Sequence, residues 1–240
     1  MMACIATYTN RRFNYIDVSE EDITLGDIAQ GLSDECRFAG QIAHFYSVAQ
    51  HAVYVSYLVP QEYALEALLH DATEAYCKDL PTPLKALLPE YKKIENRIDE
   101  VIRKKFNLPA EMSEVVNYAD LVMLATERQF FALDRDNKWP ILEGIPETDL
   151  IAISYVSPTK AKYLFIERYK ELTGKEINYD AEIKIIDISP GGVYGRIYND
   201  RVERKYGDGE TINTSPVINY PTYQSDGFIK TINSVYRIIV

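Results

Sequence analysis

The sequence predicts a mainly α-helical protein that ends in a small β-rich appendage. From about residue 24 to residue 174, apolar residues recur with the 3.6-residue period of amphipathic helices. After residue 177 the chain changes to short strand-like runs separated by GG, DG and SP turn pairs, with six of the eleven glycines. We therefore expect two domains, a helical one over residues 1–175 and a β-rich one over residues 177–240.

Six helices are predicted in the helical domain, after an irregular N-terminal start. The last has the clearest ends, because Ser157 can cap it, Pro158 suits its first turn and Gly174 suits its C-terminal stop. The third should end near Lys78, ahead of a loop whose two prolines stop regular structure. The predicted helices cover residues 24–32, 43–59, 62–77, 90–106, 112–134 and 158–173.

The β-rich domain is predicted from β-branched and aromatic runs between turn residues. Its tyrosines are expected to form a core, and an oligomer contact or a binding surface is the alternative. The predicted strands are EIKIIDI (182–188), GRIYND (195–200), RVERKY (201–206), FIKTI (228–232) and VYRIIV (235–240), and the tyrosines are Tyr194, Tyr198, Tyr206, Tyr220, Tyr223 and Tyr236.

Composition restricts the partners and the compartment. Of the 240 residues 47% are hydrophobic, which is ample for a packed core. The net charge of −10 argues against duplex nucleic acid as a partner, because such binding relies on clustered Lys and Arg. Three cysteines without a CxxC pair predict reduced thiols. We find no apolar run of about 20 residues and no signal-peptide core, so we expect a cytoplasmic protein without a membrane partner.

Two of the three histidines and two aspartates fall on or near the apolar faces of predicted helices. His51 falls on the apolar stripe of its helix, the pair His70-Asp71 lies near the next apolar face, and Asp120 is on the apolar side of a third helix. One inward histidine is more often a hydrogen-bonded core residue. Buried carboxylates, however, need an opposite charge or a metal ion, and one cation would satisfy all four groups.

Two imidazoles and two carboxylates suit one divalent transition metal ion, with Co, Mn or Zn expected and Mg possible. Such a site leaves coordination positions for water and substrate, which is typical of catalytic rather than structural metal. Phosphate ester hydrolysis is the chemistry that this favours. Glu74 follows His70 by four residues and could move protons beside the metal, or could simply be a solvated helix charge.

Substrate contacts are expected upstream of His51. Arg37 offers a planar fork of donors for phosphate oxygens and Phe38 an aromatic face for a base or sugar; the alternative is a surface arginine beside a core phenylalanine. His44 and Ser47 precede His51 by seven and four residues, so on a helix they would lie on its side and could touch substrate.

The order His51, His70-Asp71, Asp120 resembles the pattern of the HD-domain phosphohydrolases. The segments CRFAGQIAHFYSVAQHAVYVS (36–56) and LLHDATEAYCKDLPTPLKALLPEYKKIE (68–95) are similar to the branch that contains the YfbR-like 5'-deoxynucleotidases and the phage dATP triphosphohydrolases. The resemblance covers roughly residues 5–135. It implies an HD-domain helical bundle in which these four residues are the metal ligands.

The resemblance also implies roles for the neighbouring side chains. Glu74 and Asp79 would be an acidic pair that positions or protonates water and leaving group, although Asp79 could instead be a simple turn residue. Arg37 and Phe38 would be the Arg-aromatic pair placed against the nucleotide. Tryptophan is the usual partner of this arginine in the bacterial nucleotidases, so Phe38 departs from the pattern.

We thus expect a homo-oligomeric enzyme that hydrolyses the phosphate ester of a small deoxynucleotide. It would act either as a monophosphatase or as a triphosphohydrolase that cuts the same ester bond. A catalytically weak nucleotide-binding protein and an HD-type phosphodiesterase are the alternatives. Many two-metal phosphodiesterase sites use further histidines, and this chain has only His44 to spare.

Overall fold

The structure is a computed structural model that describes residues 3–174, 179–202 and 206–239. The chain forms two compact units, the first made of Met1–Asp120 and Tyr155–Leu172, and the second of Leu121–Ser154 and Thr173–Val240. The domain division expected at residues 175–177 falls on residues outside the described ranges and stays a prediction. Among the described residues, no helix is long and apolar enough to cross a membrane.

The first unit is helical apart from an N-terminal hairpin. The hairpin pairs β1 (Cys4–Ala6) with β2 (Arg12–Asn14) in antiparallel register, where an irregular start was predicted. The helices are α1 (Leu25–Asp34), α2 (Val48–Tyr57), α3 (Ala64–Leu69), α4 (Glu74–Cys77), α5 (Thr82–Lys85), α6 (Pro89–Lys105), α7 (Glu114–Phe130) and α8 (Pro158–Leu172), and α7 continues into the second unit.

Helix α2 is the centre of this unit, since all ten of its residues are buried. It packs against α1, α3 and α8. Helices α1 and α4 approach so closely that a Cβ at Gly31 would lie 2.7 Å from Ala75, which explains a glycine within a helix. The first unit thus has a tightly packed helical core around α2, the helix that carries His51.

Four of the predicted helices are confirmed within a few residues of their expected ends, namely α1, α6, α7 and α8. The capping prediction for α8 also holds, because the Ser157 hydroxyl accepts a hydrogen bond from the Lys160 amide at 3.2 Å and Gly174 has φ of 80°. The three cysteines are free thiols, as predicted.

Two helix predictions are wrong in part. The helix expected over residues 43–59 begins only at Val48, because the backbone of Ser47 is extended and its hydroxyl accepts from the Gln50 amide at 3.2 Å. The helix expected over residues 62–77 is broken into a 3-10 turn, α3, a four-residue turn at 70–73 and α4. Apolar periodicity cannot detect this break, since the turn keeps the side-chain spacing of a helix.

The C-terminal part of the second unit is a five-stranded sheet with strand order β5-β4-β3-β7-β6. Strands β3 and β7 are parallel and the other neighbours are antiparallel. The architecture is therefore mixed α/β, and "mainly α" describes the helical unit only. The elements are β3 (Ala181–Ser189), β4 (Gly192–Tyr198), β5 (Thr211–Asn213), α9 (Tyr223–Asp226), β6 (Phe228–Lys230) and β7 (Val235–Ile238).

The strand predictions are confirmed at β3, β4, β6 and β7. The strand expected over residues 201–206 is wrong where it can be compared, because residues 201, 202 and 206 are not in a strand and residues 203–205 lie outside the described ranges. β5 and α9 were not predicted. Tyr236 is in the core and Tyr220 and Tyr223 pack against it, whereas Tyr194 and Tyr206 are exposed, so the core expectation holds for only part of the tyrosines.

Candidate metal centre and catalytic site

The four predicted metal ligands come from three separate parts of the chain and meet at one point of the first unit. His51 lies within α2, His70 and Asp71 follow α3, and Asp120 lies on α7. His51 Nε2 is 3.0 Å from Asp120 Oδ1 and 3.8 Å from Asp71 Oδ2. His70 Nε2 is 3.2 Å from Asp71 Oδ2 and 3.7 Å from Asp120 Oδ1. Two imidazole nitrogens thus face two carboxylate oxygens.

The His70 ring is oriented so that its Nε2 could bind a cation. Its Nδ1 lies 2.7 Å from the Ala67 carbonyl oxygen, an acceptor, so Nδ1 carries the hydrogen. In the neutral ring Nε2 then bears the lone pair, and this buried atom has no hydrogen-bond partner among the described residues. A lone pair that faces carboxylates is stabilised by a cation placed between them. A backbone carbonyl on the far nitrogen is also the usual support of a metal-bound histidine.

The pKa values of His70 and Asp120 also indicate that this cluster favours a bound cation. Burial would lower the pKa of His70, but the Asp71 carboxylate, followed by Asp120, outweighs burial and raises that pKa well above its usual value. Burial would raise the pKa of Asp120, but the His51 imidazole at hydrogen-bond distance, followed by the nearby His70 imidazole, holds it well below its usual range. The carboxylates therefore favour positive charge at the imidazole nitrogens. Ligand atoms of His51, His70 and Asp120 within 4.8 Å of one another could hold a metal ion that supplies this charge.

Between α3 and α4 the backbone bonds span fewer residues than those of an α-helix. After Leu69 the backbone makes short-range bonds, from the Ala72 amide to the Leu69 carbonyl at 3.0 Å and from the Glu74 amide to the Asp71 carbonyl at 2.9 Å. Neighbouring side chains of a regular helix point about 100° apart. In this turn His70 Nε2 and Asp71 Oδ2 nevertheless approach to 3.2 Å.

Glu74 and Asp79 are two further carboxyl residues whose charges interact with that of Asp71. Glu74 is buried at the start of α4, and burial, then the charges of Asp71 and Asp79, raise its pKa well above the usual value. Burial also raises the pKa of Asp79, against the opposing effect of Arg37. Asp79 lies in a tight turn in which the Leu80 amide donates to the Lys78 carbonyl at 3.1 Å. A raised pKa means that each of these two carboxyl groups binds its proton more tightly than an exposed carboxyl group does.

Arg37 reaches the same cluster from the segment before α2. Its Nη1 is 3.7 Å from Asp71 Oδ2, and its guanidinium carbon lies 5.4 Å from the ring centroid of Phe38. The amide of Arg37 donates to the Tyr46 carbonyl at 3.0 Å, which ties the ends of the intervening loop together. Phe38, Ala39 and Gly40 all have positive φ, so the chain turns sharply directly after Arg37.

The other two predicted substrate contacts lie outside any helix. His44 is exposed, and its ring is 4.4 Å from that of Tyr155. Ser47 is fully buried, and its hydroxyl caps α2. The contacts of His44 and Ser47 with substrate stay predictions. The helix-based reason for them fails, because α2 begins after both residues.

Two supporting interactions were not predicted. Glu66, one helical turn before His70, accepts hydrogen bonds from the Ser113 amide at 2.9 Å and the Ser113 hydroxyl at 2.6 Å, just ahead of α7. Lys85 pairs with Glu95 at 2.7 Å beside the acidic cluster. The spacing of Glu66 from His70 was visible in the sequence, whereas no pattern indicated Lys85.

A helical unit that brings a histidine, a His-Asp pair and a later aspartate to one point defines an HD-domain protein. The family model described as "5'-deoxynucleotidase YfbR-like" matches residues 31–132, a range that contains all four predicted ligands. The chain belongs to this YfbR-like family of HD-domain hydrolases.

Relatives agree with this assignment. The Escherichia coli (strain K12) protein named "Uncharacterized protein YfdR" is 54% identical over 172 residues, which are 72% of this chain and 97% of that protein. A Pasteurella multocida protein named "5'-deoxynucleotidase PM0747" is 30% identical over 108 residues, 37% of this chain and 55% of that protein. A protein of Erwinia tasmaniensis named "5'-deoxynucleotidase" is 36% identical over 70 residues, 28% of this chain and 35% of that protein.

Proposed function

We propose that this protein is a metal-dependent 5'-nucleotidase that removes phosphate from deoxynucleoside monophosphates. The observation that carries the proposal is the convergence of His51 Nε2 and His70 Nε2 on the carboxylates of Asp71 and Asp120, within 3.0 to 3.8 Å. The family model and the relatives named 5'-deoxynucleotidase support the nucleotide substrate.

His51, His70, Asp71 and Asp120 would hold one divalent ion. Mixed nitrogen and oxygen donors favour Mn, Co or Zn over Mg, which prefers oxygen ligands. A bound ion of this kind would supply Lewis-acid polarisation of the phosphate and a water molecule of lowered pKa. The donor set suits such an ion, because the buried Nε2 of His70 has no other partner among the described residues.

The remaining residues would bind the substrate and move protons. Arg37, next to Asp71, would donate to phosphate oxygens, and Phe38 would offer its ring to the sugar or base. In the reaction, a water oxygen would bond to phosphorus as the bond from phosphorus to the 5' oxygen breaks. The protons of that water would leave on the released orthophosphate, which would return one of them to Glu74 after Glu74 has protonated the leaving group. Glu74, buried beside Asp71 and Asp79, would give its proton to the leaving 5' oxygen.

The cations around the site favour a monophosphate over a triphosphate. Arg37 faces Asp71 at 3.7 Å, Lys78 pairs with Glu35 at 2.7 Å, and Lys85 pairs with Glu95 at 2.7 Å. Each is already next to a carboxylate. A triphosphate would bring three or four negative charges among these acidic groups, whereas a monophosphate needs only Arg37 and the ion.

The proposal is tested by product analysis. Metal-free protein is incubated with dNMPs, dNTPs and their ribose analogues in Mn, Co, Zn or Mg, and the products are separated by chromatography. We expect orthophosphate and deoxynucleoside from dNMPs, loss of turnover with a chelator and its return with added metal. Release of triphosphate from dNTPs would instead make the protein a triphosphohydrolase. Nucleotide binding without turnover in any metal would contradict catalysis altogether.

A matched pair of variants tests the site. Asp120→Asn keeps the size of the side chain but removes a charge next to His51, so we expect metal binding and turnover to fall together. Asp136→Asn makes the same chemical change at an exposed position and should leave both unchanged. Equal activity of the two variants would contradict the assignment of Asp120.

A further inference from the structure

Lys78 has an unusual backbone conformation for a residue with a side chain. Its φ is 77° and its ψ is 151°, in a region that glycine adopts and other residues avoid. It lies between α4, which begins with Glu74, and Asp79. The chain therefore bends at Lys78 between the two members of the proposed acidic pair.

Several interactions hold Lys78 in this conformation. Its amide donates to the Glu74 carbonyl at 2.8 Å, and its carbonyl accepts from the Leu80 amide at 3.1 Å. The Tyr91 hydroxyl on α6 has this carbonyl as its shortest acceptor contact, at 3.0 Å, compared with 3.3 Å to the Cys77 carbonyl, so we assign its single proton to Lys78. The side chain ends in an ion pair with Glu35. A strained backbone conformation persists only where the surrounding interactions enforce it, and such strain is concentrated at functional sites.

Helix α6 fixes the far end of the same segment. Glu95, one turn beyond Tyr91, binds the Lys85 ammonium at 2.7 Å and lies 3.4 Å from the Tyr91 hydroxyl. One turn of α6 thus contacts the chain on both sides of the segment 79–84. Asp79 therefore lies in a short segment, which includes most of α5, and the residues at both ends of this segment contact α6.

We propose that the backbone of Lys78 and the hydroxyl of Tyr91 are a positioning device that holds the Asp79 carboxylate at the reaction centre. This inference rests on the proposed function, in which Asp79 belongs to the acidic pair. The conformation at position 78 is what matters here, and the lysine ammonium, which is mostly exposed and paired with Glu35, takes no part in the chemistry.

Substitutions at Lys78 separate conformation from charge. Lys78→Gly, Lys78→Ala and Lys78→Val all remove the ammonium, but glycine adopts the observed φ freely, alanine at a cost like that of lysine, and valine least well. We expect Lys78→Gly to keep kcat within about threefold of wild type and to melt about 2–4 °C above Lys78→Ala. Lys78→Val should lose about tenfold or more in kcat with little change in KM, because small misplacements of a catalytic group are costly.

Tyr91→Phe tests the other half of the device. We expect about a tenfold lower kcat with an almost unchanged KM, since the ring stays and only the hydroxyl is lost. In the Lys78→Gly background the same substitution should cost less, because glycine does not need the hydroxyl to hold its conformation. This coupling in kcat would be absent if Tyr91 merely stabilised the fold.

Amide hydrogen exchange at Leu80 gives a readout that does not require activity. The Leu80 amide bonds to the Lys78 carbonyl, so its protection should fall in Lys78→Val and Tyr91→Phe and persist in Lys78→Gly. Equal kcat and equal Leu80 protection in the glycine and valine variants would overturn the proposal. A loss in Lys78→Gly as large as in Lys78→Val would assign the role to the ammonium instead. If the wild type has no phosphatase activity, the proposed function fails, while exchange at Leu80 still tests the device.

Discussion

Removal of the Glu66 carboxylate is expected to destabilise the helical unit and to weaken metal binding. Glu66 on α3 is buried, and its two oxygens accept from the Ser113 amide and hydroxyl ahead of α7. Arg103 on α6, also buried, donates to it at 3.3 Å. The carboxylate therefore joins the helix that leads to His70 with the helix that carries Asp120.

The size of the effect follows from these contacts. Loss of one member of a buried ion pair costs about 3–5 kcal/mol, because the other charge is left buried. Arg103 keeps bonds to Asp99 at 2.8 Å and to the Pro109 carbonyl at 2.9 Å, so we expect the lower end for Glu66→Ala, about 3 kcal/mol. Glu66→Gln keeps one acceptor oxygen for Ser113 and should cost about 1–2 kcal/mol.

Urea denaturation of the metal-free variants measures this effect. Far-UV circular dichroism follows the helices, while the fluorescence of Trp139, the single tryptophan, reports on the second unit. Glu90→Ala is the matched control, because Glu90 forms an exposed pair with Lys93 that should contribute less than about 1 kcal/mol. Glu66→Ala that stays within about 0.5 kcal/mol of wild type, with unchanged metal affinity by calorimetry, would refute the role given to Glu66.

Three further outcomes are expected. His70→Ala should abolish metal binding and turnover together, and full activity of a metal-depleted variant would contradict the HD-type site. Glu74→Gln should keep the metal, measured by elemental analysis, and lose on the order of 10² to 10⁴ in rate, whereas loss of metal would make Glu74 a ligand. Asp27 accepts hydrogen bonds from Thr24 and Thr9, which outweigh burial and lower its pKa. The ionised Asp27 therefore stabilises the fold above the unfolded pKa of about 3.9. This stabilisation is lost as the pH falls from that value through the lower folded-state pKa. Melting temperatures of wild type should therefore fall more steeply than those of Asp27→Asn on acidification below about pH 4, and parallel curves would contradict this.

The four proposed metal ligands could be selected from the sequence because residue type and spacing together single them out. His51, His70, Asp71 and Asp120 are polar residues within or beside apolar helical patterns, and such groups need partners inside a protein. Their convergence within 3.0 to 3.8 Å agrees with this reasoning. Arg37 was likewise expected near phosphate, and it lies beside Asp71.

The local backbone at the site was much less predictable. The turn at 70–73 interrupts a pattern that reads as one helix, and Ser47 begins a helix that apolar spacing extends further back. Both departures depend on hydrogen bonds that a periodic pattern does not contain. The late start of α2 matters for the site, because it removes His44 from its expected helical face.

Residue types and the spacing of apolar residues were enough to predict a helical body and a β-rich C-terminal part, because both depend on burial of apolar surface. They also predicted that His51, His70, Asp71 and Asp120 would form a metal site, because buried charges need partners. Contacts between distant segments decided the rest. Nothing near Lys78 in the sequence indicates a glycine-like conformation, because the Tyr91 hydroxyl that supports it comes from another helix. The same holds for Glu66 and Ser113, 47 residues apart, whose hydrogen bonds exist only when α3 and α7 are packed. Long-range hydrogen bonds of this kind have no period, so only the folded chain reveals them.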